Sequence, residues 1–174
     1  DYAVKHAKVP LKYASGKTVE LSLGNHFKPV YKDEYTGEEL PTEHIQKAII
    51  DELLYLNTEV WEGIDVKDAM SDPEAKLVSS RWVNCNKSDI HNPDVRARRV
   101  AQEVNTHAEE SFFAATPPLE AKRILMSQFA TERTRKGKSL KLSFIDVRKA
   151  YFNGVPTRLL YVRLPAELGL PSNI

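Results

Sequence analysis

Cysteine is almost absent. Cys85 is the one thiol in 174 residues, which excludes an internal disulfide framework and any zinc site built on several thiolates. A lone cysteine fits a reducing compartment. Apolar runs of membrane-spanning length are missing, and the amino-terminal residues lack the apolar stretch of a signal peptide. The expectation is an intracellular, non-secreted chain with no membrane partner. The first residue is Asp rather than Met, so a piece of a longer product is expected. Metal-binding frames are missing as well. Asp65, Asp68 and Asp72 lie close together without the Asp-x-Asp-x-Asp-Gly frame of a calcium loop, so residues 64–75 read as a solvated loop. His107 stands near Glu109 and Glu110, but at a spacing unsuited to zinc. No Asp-Asp dipeptide occurs anywhere.

What is present suits a globular chain long enough to bury a core: 41% hydrophobic and 28% charged residues. The net charge of +1 hides an asymmetry. Residues 1–75 carry 8 Lys/Arg against 15 Asp/Glu, residues 76–148 carry 14 against 8, and residues 149–174 carry 3 against 1. An acidic front and a basic centre fit either a face for a polyanion or a plainly solvated surface.

Residues 1–41 read as a linker or arm with one strand around Lys17–Leu23, which alternates before Gly24-Asn25 and Pro29 interrupt. From Pro41-Thr42, with Thr42 as N-cap and Glu43 in the first turn, Ile45, Ala48, Ile49, Leu53 and Leu56 recur at helical spacing. They predict an amphipathic helix of about 15 residues. Leu77–Lys87 reads as a strand, Ser88–Pro93 as a turn, and Asp94–Gln102 as the returning strand. Side chains on a strand repeat every two residues, so Arg96 and Arg98 share one face and Arg99 falls on the other. Charges are almost never buried unpaired, so this hairpin either waves in solvent or closes on phosphates. A second helix is expected from about Pro118 to Arg133, with Leu119, Ile124, Leu125, Phe129 and Ala130 as core contacts. Arg133–Lys138 is a basic turn, and Arg158–Pro165 reads as a further strand.

Ser143–Gly154 is the most informative stretch. Leu140, Leu142, Phe144 and Ile145 suit a buried strand that delivers Asp146 at its end, and Arg148–Phe152 turn into a short helix before Asn153-Gly154. A carboxylate at a strand end ahead of helical N–H groups either caps the helix or holds a hard cation and a polyphosphate together.

The wording of these segments resembles one family. Ile145-Asp146-Val147-x-x-Ala150-Tyr151-Phe152 is similar to motif A of reverse transcriptases, and Ala150–Gly154 looks most like the copia-type (Pseudoviridae) branch. Arg81-Trp82-Val83-x-x-x-Lys87 followed by Arg96–Gln102 resembles that branch's fingertip hairpin, "K-W-V-x-x-x-K … K-A-R-L-V-A-x-G". Gln46–Leu53 with Val60-Trp61-Glu62 is similar to its opening "A-x-x-x-E-x-x-x-L … W-E". Phe113-x-x-Thr116-Pro117-Pro118-Leu119, Arg158–Pro165 and Leu168–Pro171 stand where the family has "T-F-x-P-V", "V-Y-M-x-Q-P" and "P-x-G-F". Two departures stand in the hairpin: the family's Leu is Arg99 here, and its Gly is Glu103.

The resemblance covers roughly residues 44–170. It implies an α+β fold: a partial reverse transcriptase domain over 42–174, with an antiparallel basic hairpin, two main helices and the first palm strands, preceded by an integrase-to-polymerase connector over 1–41. It implies that Asp146 is the catalytic carboxylate and a Mg²⁺ ligand, that Val147 is a main-chain ligand, and that Tyr151 is the sugar selector. Arg96, Arg98 and Lys87, with the N–H groups of Lys149 and Ala150, would contact the dNTP triphosphate. Implied partners are an RNA or DNA template-primer, dNTP, and the remainder of the polymerase (palm, thumb, RNase H). The implied location is a cytoplasmic virus-like particle or the nucleus. Two-metal phosphoryl transfer needs carboxylates on both sides of the ion pair, and the aromatic-x-Asp-Asp partner of motif A is not in this sequence. The expectation is therefore a polymerase fragment inactive alone, with an exposed apolar strand edge near 140–146. The alternative is a non-enzymatic, degenerate or domesticated module that binds nucleic acid or protein through the hairpin.

Overall fold

The computed structural model describes residues 7–23, 26–73, 76–89, 91–102, 116–132, 137–154 and 159–170. The chain divides into two compact units, Asp1–Val104 with Pro156–Ile174 and Asn105–Val155, and each is described by itself. Its class is α+β.

The first unit begins with a ribbon of β1 (Lys8–Lys12) and β2 (Thr18–Ser22), paired antiparallel from Lys8↔Ser22 to Lys12↔Thr18. Strand β2 is the predicted one. Strand β1 escapes the pattern because Pro10 interrupts it, but both strands of a two-stranded ribbon are edges, where proline is tolerated. The segment expected to be linker-like thus carries two strands, and it buries Val9, Leu11, Leu23, Tyr31 and Leu40.

Helix α1 (Thr42–Tyr55) follows. Its buried stripe is Ile45, Ile49 and Leu53, with Leu56 buried just beyond, as the spacing predicts. Thr42 is the first helical residue rather than the cap. Pro41 holds the capping position without a side-chain bond, since proline's fixed φ suits a helix entry. After Tyr55 the helix widens into a π turn, Leu56–Val60, closed by a hydrogen bond from the Trp61 indole to Asn57. Within 64–75, expected as loop, Val66–Met70 forms a single helical turn, α2, over the buried Ala69.

Strands β3 (Leu77–Asn86) and β4 (Val95–Gln102) form the predicted hairpin, in register from Ser79↔Gln102 to Asn86↔Val95. Strand β5 (Tyr161–Val162) adds parallel to β3, giving the order β4-β3-β5. Among the described residues of the predicted strand over 158–165, only Tyr161 and Val162 pair, and Pro165, which has no N–H to continue the ladder, opens a 3₁₀ turn, Ala166–Leu168. Helix α1 packs on β4 and β1, and the core joins Val9, Leu23, Ile45, Ile49, Leu53, Ala97 and Leu168.

The second unit carries helix α3 (Leu119–Thr131) and a 3₁₀ turn, Ala150–Asn153. No residue of α3 is buried, so Leu119, Ile124, Leu125, Phe129 and Ala130 are not core contacts among the described residues. Residues 140–145 form no strand. A strand exists only by exchanging hydrogen bonds with a neighbour, and no strand is described in this unit to supply them. The strand edge expected at 140–146 is therefore absent, although Phe144 is 79% and Ile145 85% exposed.

Candidate functional site

Strand pairing sorts the hairpin into two faces, because directly opposed residues project to the same side. Arg96 stands opposite Cys85, Arg98 opposite Val83, and Arg81 opposite Val100. All three arginines therefore share the outer face, and all are exposed. Arg81 was not singled out from the sequence; the signal is its even spacing from Cys85 along β3, once the register is known. Lys87 is also exposed, and its N–H closes the hairpin on the Asp94 carbonyl at 3.0 Å. The tip is pre-shaped by the Asp89 carboxylate, which accepts the N–H groups of His91 and Asn92 at 2.9 and 2.8 Å.

The outer arginines differ in how they are held. Arg96 donates to Asp94 through Nε at 3.3 Å and a terminal nitrogen at 3.1 Å. Arg81 donates to Glu34 at 2.6 Å. These are solvent-exposed pairs of little net strength, which a phosphate can displace. Arg98 makes no ion pair among the described residues.

The inner face holds a cluster that sequence reading missed. Arg99 and Trp82 are directly opposed, with the guanidinium 5.2 Å from the indole centroid, a cation–π distance. Arg99 Nε donates to Ser80 Oγ at 3.0 Å, and Ser80 Oγ donates to the Arg163 carbonyl at 3.0 Å. Glu167, only 2% exposed on the 3₁₀ turn, accepts from the Tyr31 hydroxyl at 3.0 Å. The Lys28 N–H donates to the same Tyr31 oxygen at 3.1 Å. Burial pushes the Tyr31 hydroxyl above its ordinary range, against the Lys28 N–H, and the Glu167 carboxylate adds to the rise. Burial draws the Arg99 guanidinium down, and Glu167 acts in the opposite sense. Arg99 thus lies within the field of a buried carboxylate.

A further carboxylate fixes the approach to α1. Asp33 accepts the N–H groups of Asn86 at 2.7 Å, Tyr35 at 2.8 Å and Thr36 at 3.0 Å. The Asn86 N–H leads in holding its carboxyl below the usual range, followed by those of Thr36 and Tyr35.

The motif-A residues lie in the second unit. Asp146 and Val147 are exposed in an irregular segment, and Tyr151 is 97% exposed. The expected helix start is a single 3₁₀ turn beginning at Ala150, with Lys149 left-handed at φ 51° before it. A four-residue turn offers little of a helix's dipole. Among the described residues no group of three His, Cys, Asp or Glu is placed to hold a metal ion. Asp146 alone does not make a Mg²⁺ site. The expected ligands therefore fall into two sets, Lys87, Arg96 and Arg98 on the hairpin and residues 146–151 in the other unit. His107, Glu109 and Glu110, the family departure at Glu103, and the turn residues Arg133–Lys136 lie outside the described residues. No helix among the described residues is long and apolar enough to cross a membrane. Comparisons with known protein families, with curated proteins and with solved structures return no match for this chain.

Proposed function

We propose that the chain is the fingers and first palm portion of a copia-type reverse transcriptase, an RNA-directed DNA polymerase. Its own contribution is to grip nucleic-acid or nucleotide phosphates on the outer face of the β3–β4 hairpin. The observation that carries this reading is the alignment of Arg81, Arg96 and Arg98 on one exposed face, while Arg99 is turned inward onto Trp82. Ordered motif fragments from Gln46 to Pro171 support the family assignment. In the intact enzyme the primer 3′-OH would attack a dNTP. This portion, lacking the aromatic-x-Asp-Asp motif, binds without polymerising. A binding module that keeps the hairpin and drops the chemistry is the second reading, favoured by the hairpin's resting on a core within its own unit.

The test is the salt dependence of binding to a primer–template duplex. Each phosphate contact contributes about 0.9 to the slope of log K against log salt. Arg96→Ala with Arg98→Ala should flatten that slope by about 2. An unchanged slope would remove the hairpin from the interface. The coding sequence downstream of Ile174 separates the two readings: an in-frame aromatic-x-Asp-Asp motif supports the polymerase, and a stop codon there supports the module.

A further inference from the structure

The turn ahead of α1, residues 33–39, carries Asp33, Glu34, Glu38 and Glu39 and no basic residue, and it is fastened to the hairpin. The Asp33 N–H donates to the Glu38 carbonyl at 2.8 Å and the Gly37 N–H to the Asp33 carbonyl at 2.9 Å, which closes the turn. Two bonds then fix it to β3. The Asn86 N–H donates to the Asp33 carboxylate at 2.7 Å, and the Glu34 N–H donates to the Asn84 carbonyl at 2.9 Å. With its main chain held there, Glu34 accepts from Arg81 at 2.6 Å. Most exposed ion pairs are weak because two long side chains must be ordered at once; here the fold places one partner in advance. The contact falls on one end of the arginine row. Arg81 opposes Val100 and Arg98 opposes Val83, so Arg98 is the diagonal neighbour of Arg81, about 7–8 Å away. That is comparable with the Debye length of about 8 Å at physiological salt, so a phosphate settling on Arg98 meets the field of Glu34.

We infer that the 33–39 turn is an autoinhibitory strap: Glu34 occupies on Arg81 the position that a nucleic-acid phosphate takes, so Arg81 joins the grip only by exchanging one anion for another. The strap has this role on the reading that the hairpin's outer face grips phosphates. The exchange is open because a phosphate offers a guanidinium a charge-assisted, bidentate partner, whereas Glu34 holds Arg81 by one bond at an exposed site. The strap therefore weakens binding without abolishing it, and keeps Arg81 idle until a phosphate comes within reach. Arg96 is held differently, by Asp94 at the root of its own strand. That pair moves with the hairpin, while the Glu34 pair comes from a separate segment and can be broken alone.

The experiment measures binding of the same primer–template duplex against salt for Glu34→Gln, Arg81→Ala and the double variant. Glutamine keeps the main-chain bond that anchors the turn, and the position is exposed. Glu34→Gln should tighten binding about two- to fivefold at low salt. It should also steepen the slope of log K against log salt by about 1, as Arg81 joins the grip. In the Arg81→Ala background the same change should move affinity by less than about 1.5-fold and leave the slope alone. Glu38→Gln removes an equal charge from the same turn with the Glu34–Arg81 pair intact, and should stay within about 1.5-fold of the parent. The inference is overturned if Glu34→Gln leaves affinity and slope unchanged. It is equally overturned if the gain survives whole in the Arg81→Ala background, or if Glu38→Gln gains as much, since either marks general repulsion rather than a strap. Failure of the phosphate-gripping reading looks different: Arg96→Ala with Arg98→Ala then leaves the parent's slope unchanged, and the strap falls with it.

Discussion

Replacing Arg99 by leucine, the residue of the resembled family, should destabilise this protein although leucine is the better core residue. The guanidinium stacks on Trp82 and donates to Ser80, contacts worth about 0.5–2 kcal/mol and about 1 kcal/mol. Glu167, 2% exposed, favours the charged guanidinium, and that attraction goes with it. Leucine recovers part of this by burying apolar surface, about 1.5–3 kcal/mol if covered completely, but only part of the Arg99 side chain is covered. The expected net loss is about 1–2 kcal/mol. The sharper quantity is the coupling. Arg99→Leu, Glu167→Gln, the double variant and the parent chain close a cycle, measured by urea unfolding at neutral pH. If the two side chains sustain one another, Glu167→Gln should cost far less in the Arg99→Leu background, with a coupling of about 1–3 kcal/mol. Additivity within about 0.5 kcal/mol would refute the reasoning, and the Arg99 departure would then be tolerated rather than matched.

Two further expectations follow from the same unit. Asp33, held as a carboxylate by the N–H groups of Asn86, Thr36 and Tyr35, has a folded-state pKa below its unfolded value. Its contribution is fully present above about pH 4 and is lost as pH falls toward the folded value. The melting temperature of Asp33→Asn should therefore fall less steeply than the parent's below about pH 4; parallel curves would count against the clamp. Gly169 sits at φ +63°, and a Cβ there would collide with the His26 ring. Gly169→Ala should cost about 1–2 kcal/mol from left-handed strain, with little added because the exposed His26 ring can swing aside. Gly37→Ala, at φ +75° with open space around it, should likewise cost about 1–2 kcal/mol in the same denaturation assay.

What could be read in advance was whatever rests on local periodicity. The spacing of Ile45, Ile49 and Leu53 fixed the face of α1, and the alternation of Arg96 and Arg98 fixed the outer face of the hairpin. The Pro10 strand escaped because an edge tolerates what a central strand forbids. Glu167 escaped for a different reason: a single glutamate on a short turn has no period, and its partner Tyr31 is 136 residues away. The strand over 140–145 and the apolar side of α3 failed as expectations because an apolar pattern states a need for cover, not its presence. Of the candidate site, the arginines' shared outer face was legible. The inner cluster of Arg99, Trp82 and Glu167 was not, since it forms only when the register and the turn at 166–168 are known.

The parallel pairing of β5 with β3 sets an order on the birth of this protein. Leu77 meets Tyr161, and the turn just beyond supplies Leu168 to the core and Glu167 to Tyr31. A ribosome adding about 5–20 residues each second takes roughly 3–13 s to travel from Gln102 to Leu168. Throughout that interval the hairpin is complete, yet one edge of β3 is open and Arg99 lacks its carboxylate. The nascent chain therefore waits with an unpaired strand edge beside a half-finished core, the state in which pairing with the wrong chain is easiest. Whatever protects this protein from aggregation must act before Leu168 has been made.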